Sequence, residues 1–462
     1  MELITKDMIK AKIDIAEVTL SKCFDMLLDM KHARENLGDS IMNFQITLAE
    51  CLYDLMQFYH QLQAEKKRLI LQKRSMDKTT FSTIMKTNAD FIEMVKKTIK
   101  IGKTMGDAFA WFFYYKSKPA LDKHFEHPST GLFTSGVGGK GEIEFLRDNL
   151  NIDGLYVIYH GVTDMLRVGD FSLYANGIGI VGVGELKTKQ VNDRLQVTAS
   201  ITSKVKIPRP KGAIEEKIEF SERIAQLKKD FPKLPEQIET QDNLMQAKDS
   251  DHGSKHYASH EYNLINLLSP DNPITINEDH SLILIGAWSQ YVNLFDILYS
   301  DETVKAPESL NEYATQMMEP PSPYNEAIVS EIDLQMHFPR VPILWWNIED
   351  NICRDLYFKK LIISTAFNPA KLIQLFVDEG FTVVSMGRSQ DIKLERDKDG
   401  KHIEFGSLQA YCDLINQSLM KKEAVFDIAK RIIDDCEAGK FPSGTKIEMH
   451  IRQNIFDEMP TE

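Results

Sequence analysis

Two carboxylates and a lysine in the stretch 168–189 are the residues best spaced for chemistry. Asp170 stands on one side of a predicted β-hairpin, and Glu185 and Lys187 stand on the other. If the three side chains share a face of the hairpin, two acids and an ammonium meet there. Carboxylate oxygens beside a lysine are typical of a site that hydrolyses its substrate with Mg²⁺, for which Mn²⁺ can substitute.

The shared face depends on the turn at Asn176-Gly177. Runs rich in branched and aromatic residues flank this pair, and Asn-Gly favours a hairpin because both turn residues must accept positive φ. A two-residue loop sets Asp170 opposite Val183. Opposed residues share a face, as do residues two apart on one strand. This register therefore predicts that Asp170, Glu185 and Lys187 project from one face.

An aspartate followed by Glu-x-Lys at the end of the next strand resembles the PD-(D/E)XK nuclease superfamily, the restriction-endonuclease-like fold. The core of that fold runs helix, three antiparallel strands, helix, strand. Here Gly141-Glu142 opens a helical stretch upstream, and Gln196 follows on the next expected helix. Asp170 follows Gly169 where the family pattern has proline. The resemblance covers residues 136–206, less than half of the chain.

The resemblance implies a metal-dependent endonuclease that cuts DNA, with RNA left open. It also implies a set of site residues: the metal ligands Asp170, Glu185 and Glu142, and the further catalytic residues Lys187 and Gln196. Glu144 is the alternative to Glu142 as the helix carboxylate. Nucleases of this kind with long helical regions resemble effectors of bacterial anti-phage defence or restriction, which implies a partner protein in a defence system.

Two other classes of protein remain open on the sequence. The first is a catalytically inactive nuclease fold that serves as a binding or scaffold module in a larger complex. The second is a helical interaction protein in which the hairpin is incidental. A dinucleotide-binding loop at Gly136, Gly138 and Gly141 is disfavoured because no strand precedes it.

A basic stretch follows the Glu-x-Lys strand. From Lys187 to Lys211 the chain has seven Lys or Arg and a single acid, Asp193, within a chain of net charge −13. Phosphodiester contacts would therefore be local. The residues predicted to bind nucleic acid are Lys189, Arg194, Lys204, Lys206, Arg209 and Lys211. A solvated helix face and loop is the alternative. We expect the earlier basic cluster around Lys66–Arg74 to be a solvated helix face, with nucleic-acid contact as its less favoured alternative.

Length and composition predict a multidomain protein of α and α/β class, with 462 residues and 43% hydrophobic content. The expected divisions are a helical bundle for assembly or regulation at 1–115, a restriction-endonuclease-like α/β core with a mixed sheet at 116–298, a charged insertion within it at 207–260, a linker or mobile loop at 299–330, and a C-terminal α/β region at 331–462. Apolar stripes on the first helices predict a homo-oligomer.

Several local expectations follow from the same patterns. Five cysteines without a CxxC pair favour a cytoplasmic protein, and no run of residues is long enough to span a membrane. Residues 116–141 are predicted to form a loop, with His124 at the surface. The apolar piece Ala108–Tyr115 is expected to be a buried helix end. One of the runs 281–288 and 341–348 is expected to supply a fourth strand of the core sheet.

Overall fold

The computed structural model describes residues 4–32, 38–115, 117–128, 136–152, 154–176, 178–191, 194–203, 260–300, 328–332, 334, 341–385, 393–398, 400–405 and 408–440. These residues form two compact units. The first unit contains the described residues of Met1–His252, Asn293–Tyr299 and Met336–Leu344, and the second contains those of Gly253–Val292, Ser300–Gln335 and Trp345–Glu462. Among the described residues, no helix combines the length and the apolar character that crossing a bilayer requires.

Three long helices begin the first unit: α1 at Lys6–His32, α2 at Gly38–Leu71 and α3 at Lys78–Tyr114. Their apolar residues recur every three or four positions and are buried against one another, as the sequence predicts. Asp77 caps α3, since its Oδ1 accepts a hydrogen bond from Thr80 N at 2.9 Å. A 3₁₀ turn at Lys73–Ser75 lies between α2 and α3.

The C-terminal half of α3 lies in the core of this unit. Phe109 and Tyr114 are fully buried, and the ring of Phe109 stacks on that of Phe44 with 4.7 Å between centroids. The apolar piece Ala108–Tyr115 is therefore a buried helix end, as predicted. Burial of aromatic side chains of this size contributes about 2 kcal/mol each.

A five-stranded antiparallel sheet follows, with its strands in chain order. Its strands are β1 at Asn151–Ile152, β2 at Leu155–Tyr159, β3 at Phe171–Ala175, β4 at Gly179–Val191 and β5 at Arg194–Ser203. Helix α4, Lys118–Phe125, and helix α5, Val137–Asp148, precede the sheet. A short helix at Leu294–Tyr299 packs on α1, where Leu294 N donates to Glu17 at 2.9 Å.

The β3–β4 hairpin forms, but with a different register from the predicted one. The loop has three residues, so Ala175 pairs with Gly179, which has a φ of +101°. A bulge at Val181 then adds a second residue, and the last ladder pair is Phe171 with Gly184. The two insertions shift the register by an even number, so the predicted shared face is kept although the predicted pairing was wrong.

The second unit contains two antiparallel sheets. The first has the order β6-β7-β9-β8, and the second has the order β10-β11-β12. Their strands are Ile274–Ile276, Leu282–Trp288, Ile328–Glu331, Leu361–Phe367, Thr382–Ser385, Lys393–Lys398 and Lys401–Phe405, numbered β6 to β12. The helices of this unit are Tyr262–Asn266, Asp350–Tyr357, Pro369–Asp378, Leu408–Ser418 and Lys422–Glu437.

Several predicted elements differ from the structure. All strand pairs of the described residues are antiparallel, so no mixed sheet is seen. The run 281–288 is β7 of the second unit, and 341–348 contains the 3₁₀ turn Ile343–Trp345, so neither supplies a fourth strand to the first sheet. Residues 328–330 of the expected linker belong to β8, and most of 299–330 and of 207–260 lies outside the described residues.

The prediction of a loop at 116–141 was wrong, because this range contains α4 and the start of α5. Pro119 lies in the first turn of α4 and Gly136 caps α5, so both residues mark helix starts. The predicted boundary near residue 116 falls inside one compact unit.

Helix α3 anchors the segment 160–170, which joins β2 to β3. Lys103 Nζ donates to Thr163 O at 3.0 Å, and Asp107 Oδ1 accepts from Asp164 N at 2.8 Å and from Met165 N at 2.9 Å. A Cβ added to Gly106 would lie 1.8 Å from Val162 O, so only glycine permits this approach. Burial lowers the pKa of Lys103 and, with the nearby Asp164 carboxylate, raises that of Asp107 to about 7.

Replacing Asp107 separates its acceptor role from its charge. Asp107→Ala leaves the amides of Asp164 and Met165 buried without an acceptor, at a cost of about 1–3 kcal/mol for each. Asp107→Asn keeps a carbonyl acceptor and should lose less than half as much. Urea unfolding followed by tryptophan fluorescence measures both. Equal losses in the two variants would show that the two hydrogen bonds do not hold this segment.

Candidate active site

Asp170 is fixed by its backbone at the end of β3. Its amide donates to Gly184 O at 2.8 Å, and its carbonyl accepts from His160 N at 2.9 Å. Asp170 immediately precedes Phe171, whose partner in the ladder is Gly184, and Glu185 immediately follows Gly184. The Asp170 carboxylate turns toward β4 and accepts from Leu186 N through Oδ2 at 2.5 Å. The end of the β3–β4 ladder thus brings the two acids close to each other.

Glu185 and Lys187 form an ion pair on β4. Lys187 Nζ lies 2.7 Å from Glu185 Oε1, and the Glu185 side chain is 7% exposed while that of Lys187 is 23% exposed. Residues two apart on a strand share a face, which explains the contact. The lysine therefore stands between a buried carboxylate and solvent.

Of the two candidate helix carboxylates, Glu142 is the one that lies near Asp170. Glu142 is buried in α5, and Tyr159 OH donates to its Oε2 at 2.5 Å. Its charge raises the pKa of Asp170, so the two carboxylates are close. Glu144 is exposed and lines a groove with Lys12 and other residues of α1 and α2, with a volume of about 640 Å³. The sequence left this choice open.

Close packing of α5 on β4 determines where Glu142 lies. A Cβ added to Gly141 would lie 2.2 Å from Thr188 Oγ1, and Phe145 of α5 contacts the ring of Phe171 at 5.2 Å between centroids. The helix therefore approaches the strand closely only because Gly141 has no side chain. The close approach at Gly141 thus determines how near Glu142, the next residue, lies to β4.

The two glutamates destabilise a negative charge on Asp170. Burial, Glu185 and Glu142, in that order, raise the pKa of Asp170 well above its usual value, and Leu186 N and Lys187 oppose the shift only in part. Burial and Glu142 likewise raise the pKa of Tyr159 well above its usual value. The single positive charge of Lys187 therefore does not offset the effects of burial and of the two glutamates on the pKa of Asp170.

The donor set fits a divalent hard cation. Among the described residues, no hydrogen-bond donor contacts the second oxygen of the Asp170 or Glu185 carboxylate. Mg²⁺ is commonly bound by one or two carboxylates while it keeps several waters. Asp170 and Glu185 would hold it, and Glu142 would hold one of its waters or a second ion.

Gln196 is not where the sequence placed it. No helix follows β4 in the described residues up to 203, and Gln196 lies exposed in β5, opposite Lys189. The residue therefore sits along the β4–β5 ribbon, two strand pairs beyond Lys187.

The basic stretch is only partly described. Lys189 is exposed near the end of β4, and Arg194 begins β5 opposite Val191. Lys204, Lys206, Arg209 and Lys211 lie outside the described residues.

A buried chain of four polar side chains adjoins Asp170, and the sequence analysis missed it. His124 Nδ1 accepts from Val168 N at 3.0 Å and from Arg167 N at 2.9 Å, so its hydrogen is on Nε2, which contacts Tyr114 OH at 3.1 Å. His124 was predicted at the surface and is fully buried instead, because α4 folds over the loop. The missed signal was a helical pattern in 118–125.

The chain continues from Tyr114 to the residue before Asp170. Tyr114 OH lies 2.5 Å from Ser172 Oγ, which lies 2.6 Å from His160 Nε2. His160 Nδ1 lies 3.0 Å from Gly169 O, which can only accept, so Nδ1 carries the hydrogen. Each hydroxyl therefore accepts from one side and donates to the other. This order holds only while both histidines are neutral.

Both histidines are neutral at pH 7. Burial lowers the pKa of His160 to about 4, although two backbone carbonyls oppose the shift. Burial, and then the ring of His160, lower the pKa of His124 well below its usual value. The chain is thus a fixed hydrogen-bonded support for the backbone that carries Asp170.

A second group of potential metal ligands lies in the second unit. The ligand atoms of Glu395, His402 and Glu404 are all within 4.8 Å of one another, and among the described residues no other such trio of His, Cys, Asp or Glu is found. At least one oxygen pair among Glu142, Asp170 and Glu185 is therefore further apart. The Glu404 carboxylate already pairs with Lys393 at 2.6 Å, and His402 contacts Asp397 at 2.9 Å. These partners make the second group the weaker candidate.

Comparison with known proteins gives no match to this chain, whether with protein-family models, curated proteins or solved structures. The interpretation of the site therefore depends on its own geometry.

The two histidines predict a specific pH dependence of stability. When folding lowers the pKa of a histidine, the protein loses stability as the pH falls below the unfolded-state pKa of 6.5. The loss ends near the folded-state pKa, which is about 4 for His160. Between pH 7 and pH 5, His160 should therefore cost about 2 kcal/mol of unfolding free energy. The pH-dependent contributions of the other titratable groups to the unfolding free energy cancel when wild type and His160→Gln are compared.

We expect His160→Gln to be the less stable protein at pH 7, and the gap to shrink by about 2 kcal/mol at pH 5. Urea unfolding at both pH values measures it. His32→Gln, at the exposed end of α1, is the control and should follow the wild-type pH dependence. A constant gap between wild type and His160→Gln would contradict a neutral, buried His160.

Proposed function

We propose that this protein is a metal-dependent nuclease that hydrolyses phosphodiester bonds, with DNA as its favoured substrate. One observation carries the proposal. Asp170 and Glu185 lie close together at the end of the β3–β4 ladder, with Lys187 paired to Glu185 and with Glu142 near Asp170. The arrangement of acids and lysine is similar to that expected for PD-(D/E)XK nucleases.

Each residue has a role that its contacts support. Bound Mg²⁺ would lower the pKa of a water molecule and offset charge on the scissile phosphate. Lys187, half-buried at the edge of the site, would leave Glu185 Oε1 to orient the attacking water or to bind a phosphate oxygen. Tyr159 holds Glu142 in place through its hydroxyl. Asp170 contributes charge only after it loses its proton.

The strand that follows β4 gives nucleic acid a path away from the site. Beyond Gly184, β5 is the only described strand that pairs with β4, so Glu185–Val191 belongs to a two-stranded ribbon within the described part of the chain. Lys187 and the exposed Lys189 lie on this ribbon, two residues apart. Basic side chains on a ribbon bind phosphates without reading sequence. The role in bacterial defence, the partner protein, the homo-oligomer and the cytoplasmic location stay predictions.

Cleavage assays test the proposal directly. Supercoiled DNA, linear DNA and RNA are incubated with Mg²⁺, Mn²⁺ or EDTA. Glu185→Gln and Lys187→Met should each reduce metal-dependent cleavage by about 100-fold or more, since each removes a group that acts on the reacting atoms. Glu144→Gln on the same helix as Glu142 is the control and should retain activity. Binding of DNA without cleavage by the wild type would favour the inactive scaffold instead.

The raised pKa of Asp170 makes metal binding depend on pH. A cation binds the carboxylate, so it must displace the proton that burial and the two glutamates retain. Affinity for Mg²⁺ should therefore rise with pH, by at most about tenfold per unit for one proton. Calorimetric titration at pH 6 and pH 8, in two buffers of different ionisation enthalpy, measures affinity and proton release together.

In Asp170→Asn, both the proton release and most of the affinity should disappear. Mg²⁺ binding that releases no proton from the wild type would remove Asp170 from the metal site.

A further inference from the structure

The end of the α2–α3 hairpin carries a strong local excess of positive charge. Residues 66–86, which we call the hairpin tip, contain seven Lys or Arg and one acid, Asp77, in a chain of net charge −13. The seven basic residues are Lys66, Lys67, Arg68, Lys73, Arg74, Lys78 and Lys86. The sequence alone suggested a solvated helix face, but the structure adds two facts about their surroundings.

The first fact is that the basic residues of the hairpin tip lack acidic partners. Within the described residues, only Arg68 of the seven forms an ion pair, at 3.6 Å from Glu65. Elsewhere on the same unit, some half-buried lysines are paired: Lys10 with Asp14 at 3.1 Å, and Lys96 with Glu93 at 2.8 Å. Unpaired cations that repel one another on one projection destabilise it unless an anion binds there.

The second fact is that the hairpin tip projects far from the sheet. Gln45 of α2 binds β2 through Val157 O at 2.8 Å and Tyr159 N at 2.7 Å. From Gln45 to Leu71 an α-helix rises about 39 Å. From Lys78 to Lys103, which binds Thr163, α3 rises about 38 Å by the same measure. The far end of the hairpin tip, between Leu71 and Lys78, therefore lies about 40 Å along the helices from Gln45 and Lys103.

The hairpin is a packed arm. Leu62 and Leu69 are buried between the helices, and Asn88 Nδ2 donates to Leu62 O at 3.4 Å. Its charges are therefore held at a fixed distance from the sheet.

The exposed residues of the hairpin tip suit phosphate groups. Thr79, Ser82 and Thr83 are exposed beside the basic residues, and hydroxyls donate hydrogen bonds to phosphate oxygens. Only two large apolar side chains are exposed at the hairpin tip, Ile70 at 51% and Leu71 at 85%. A helix that lies in a membrane surface needs a continuous apolar face, which two residues do not supply.

We propose that the hairpin tip is a second contact surface for the phosphate backbone of a nucleic-acid duplex. This inference deepens the proposed nuclease function and rests on it for the identity of the polyanion. A duplex has one phosphate per strand about every 3.4 Å, so 40 Å corresponds to roughly 12 base pairs. The protein would hold its substrate at the β4–β5 ribbon and again at the hairpin tip.

Binding measured in EDTA separates this proposal from catalysis. Fluorescence anisotropy compares wild type with the triple variant Lys67→Gln, Arg74→Gln and Lys78→Gln on labelled duplexes of 8, 20 and 30 base pairs. The control variant carries Lys10→Gln, Lys96→Gln and Lys123→Gln, three half-buried and ion-paired lysines of the same unit. Both variants have the same net charge, so only the position of the lost charges differs.

We expect the wild type to bind the longer duplexes at least 10-fold more tightly than the shortest one, because the second contact becomes intramolecular. The hairpin-tip variant should lose that gain, and its slope of log K against log salt should fall by about 0.9 for each lost contact. The control variant should stay within about twofold of wild type. Wild-type affinity for 20 and 30 base pairs in the hairpin-tip variant would overturn the proposal.

Two further outcomes are decisive. Loss of binding to phosphatidylserine vesicles, with DNA binding retained, would assign the hairpin tip to a membrane surface and overturn the proposal. Length-dependent DNA binding that needs the hairpin tip, in a wild type that never cleaves with Mg²⁺ or Mn²⁺, would support the second contact while the nuclease function fails.

Discussion

The segment between β2 and β3 runs through the interior without a sheet ladder of its own, and its buried backbone groups must find other partners. A buried amide without an acceptor costs about 1–3 kcal/mol. Side chains of the preceding helices supply those acceptors and donors: Asp107 and Lys103 of α3, and His124 of α4. The position of Asp170 therefore depends on helices that the sequence suggested were a separate regulatory bundle.

This dependence changes the meaning of the N-terminal region. Tyr114, at the end of α3, is hydrogen-bonded to Ser172 of β3, and Gln45 of α2 satisfies both Val157 O and Tyr159 N of β2. A chain that began near residue 116 would leave these sheet groups without partners. The helices are thus part of the support of the candidate site, whatever part they also have in assembly.

The sequence predicted the chemistry of the hairpin better than its pairing. The Asn176-Gly177 turn and the alternation of Glu185 and Lys187 indicated a shared face. Which face a side chain occupies depends only on whether the register shifts by an even or an odd number of residues. The loop length and the bulge at Val181 were not visible because bulges depend on tertiary packing. Gln196 was assigned to a helix through the resemblance, although the run from Leu195 to Ile201 is rich in strand-forming residues.

The burial of the two histidines could not be predicted from the sequence, for a different reason. His124 lies in the charged stretch 122–126, and local composition alone therefore predicts that its side chain is at the surface. It is buried because two backbone amides, those of Arg167 and Val168, point at its Nδ1 from more than forty positions away. Contacts of that separation have no signature in local spacing. Glu142 was accessible to sequence reasoning because Gly141 precedes it, and the absence of a side chain there is what lets α5 meet β4.

The strand β5 is the point at which the fold departs from the pattern that suggested its function. In the expected order a second helix follows the Glu-x-Lys strand and brings a polar residue back to the site. Here β4 continues past Gly184 as a ribbon with β5, and among the described residues no second helix follows these two strands before residue 203. A polar group that contacts the acids comes from β2, where the Tyr159 hydroxyl donates to Glu142. Under the proposed function, Glu142 and Lys187 are therefore the described residues placed to orient the water, and the ribbon is available to the substrate.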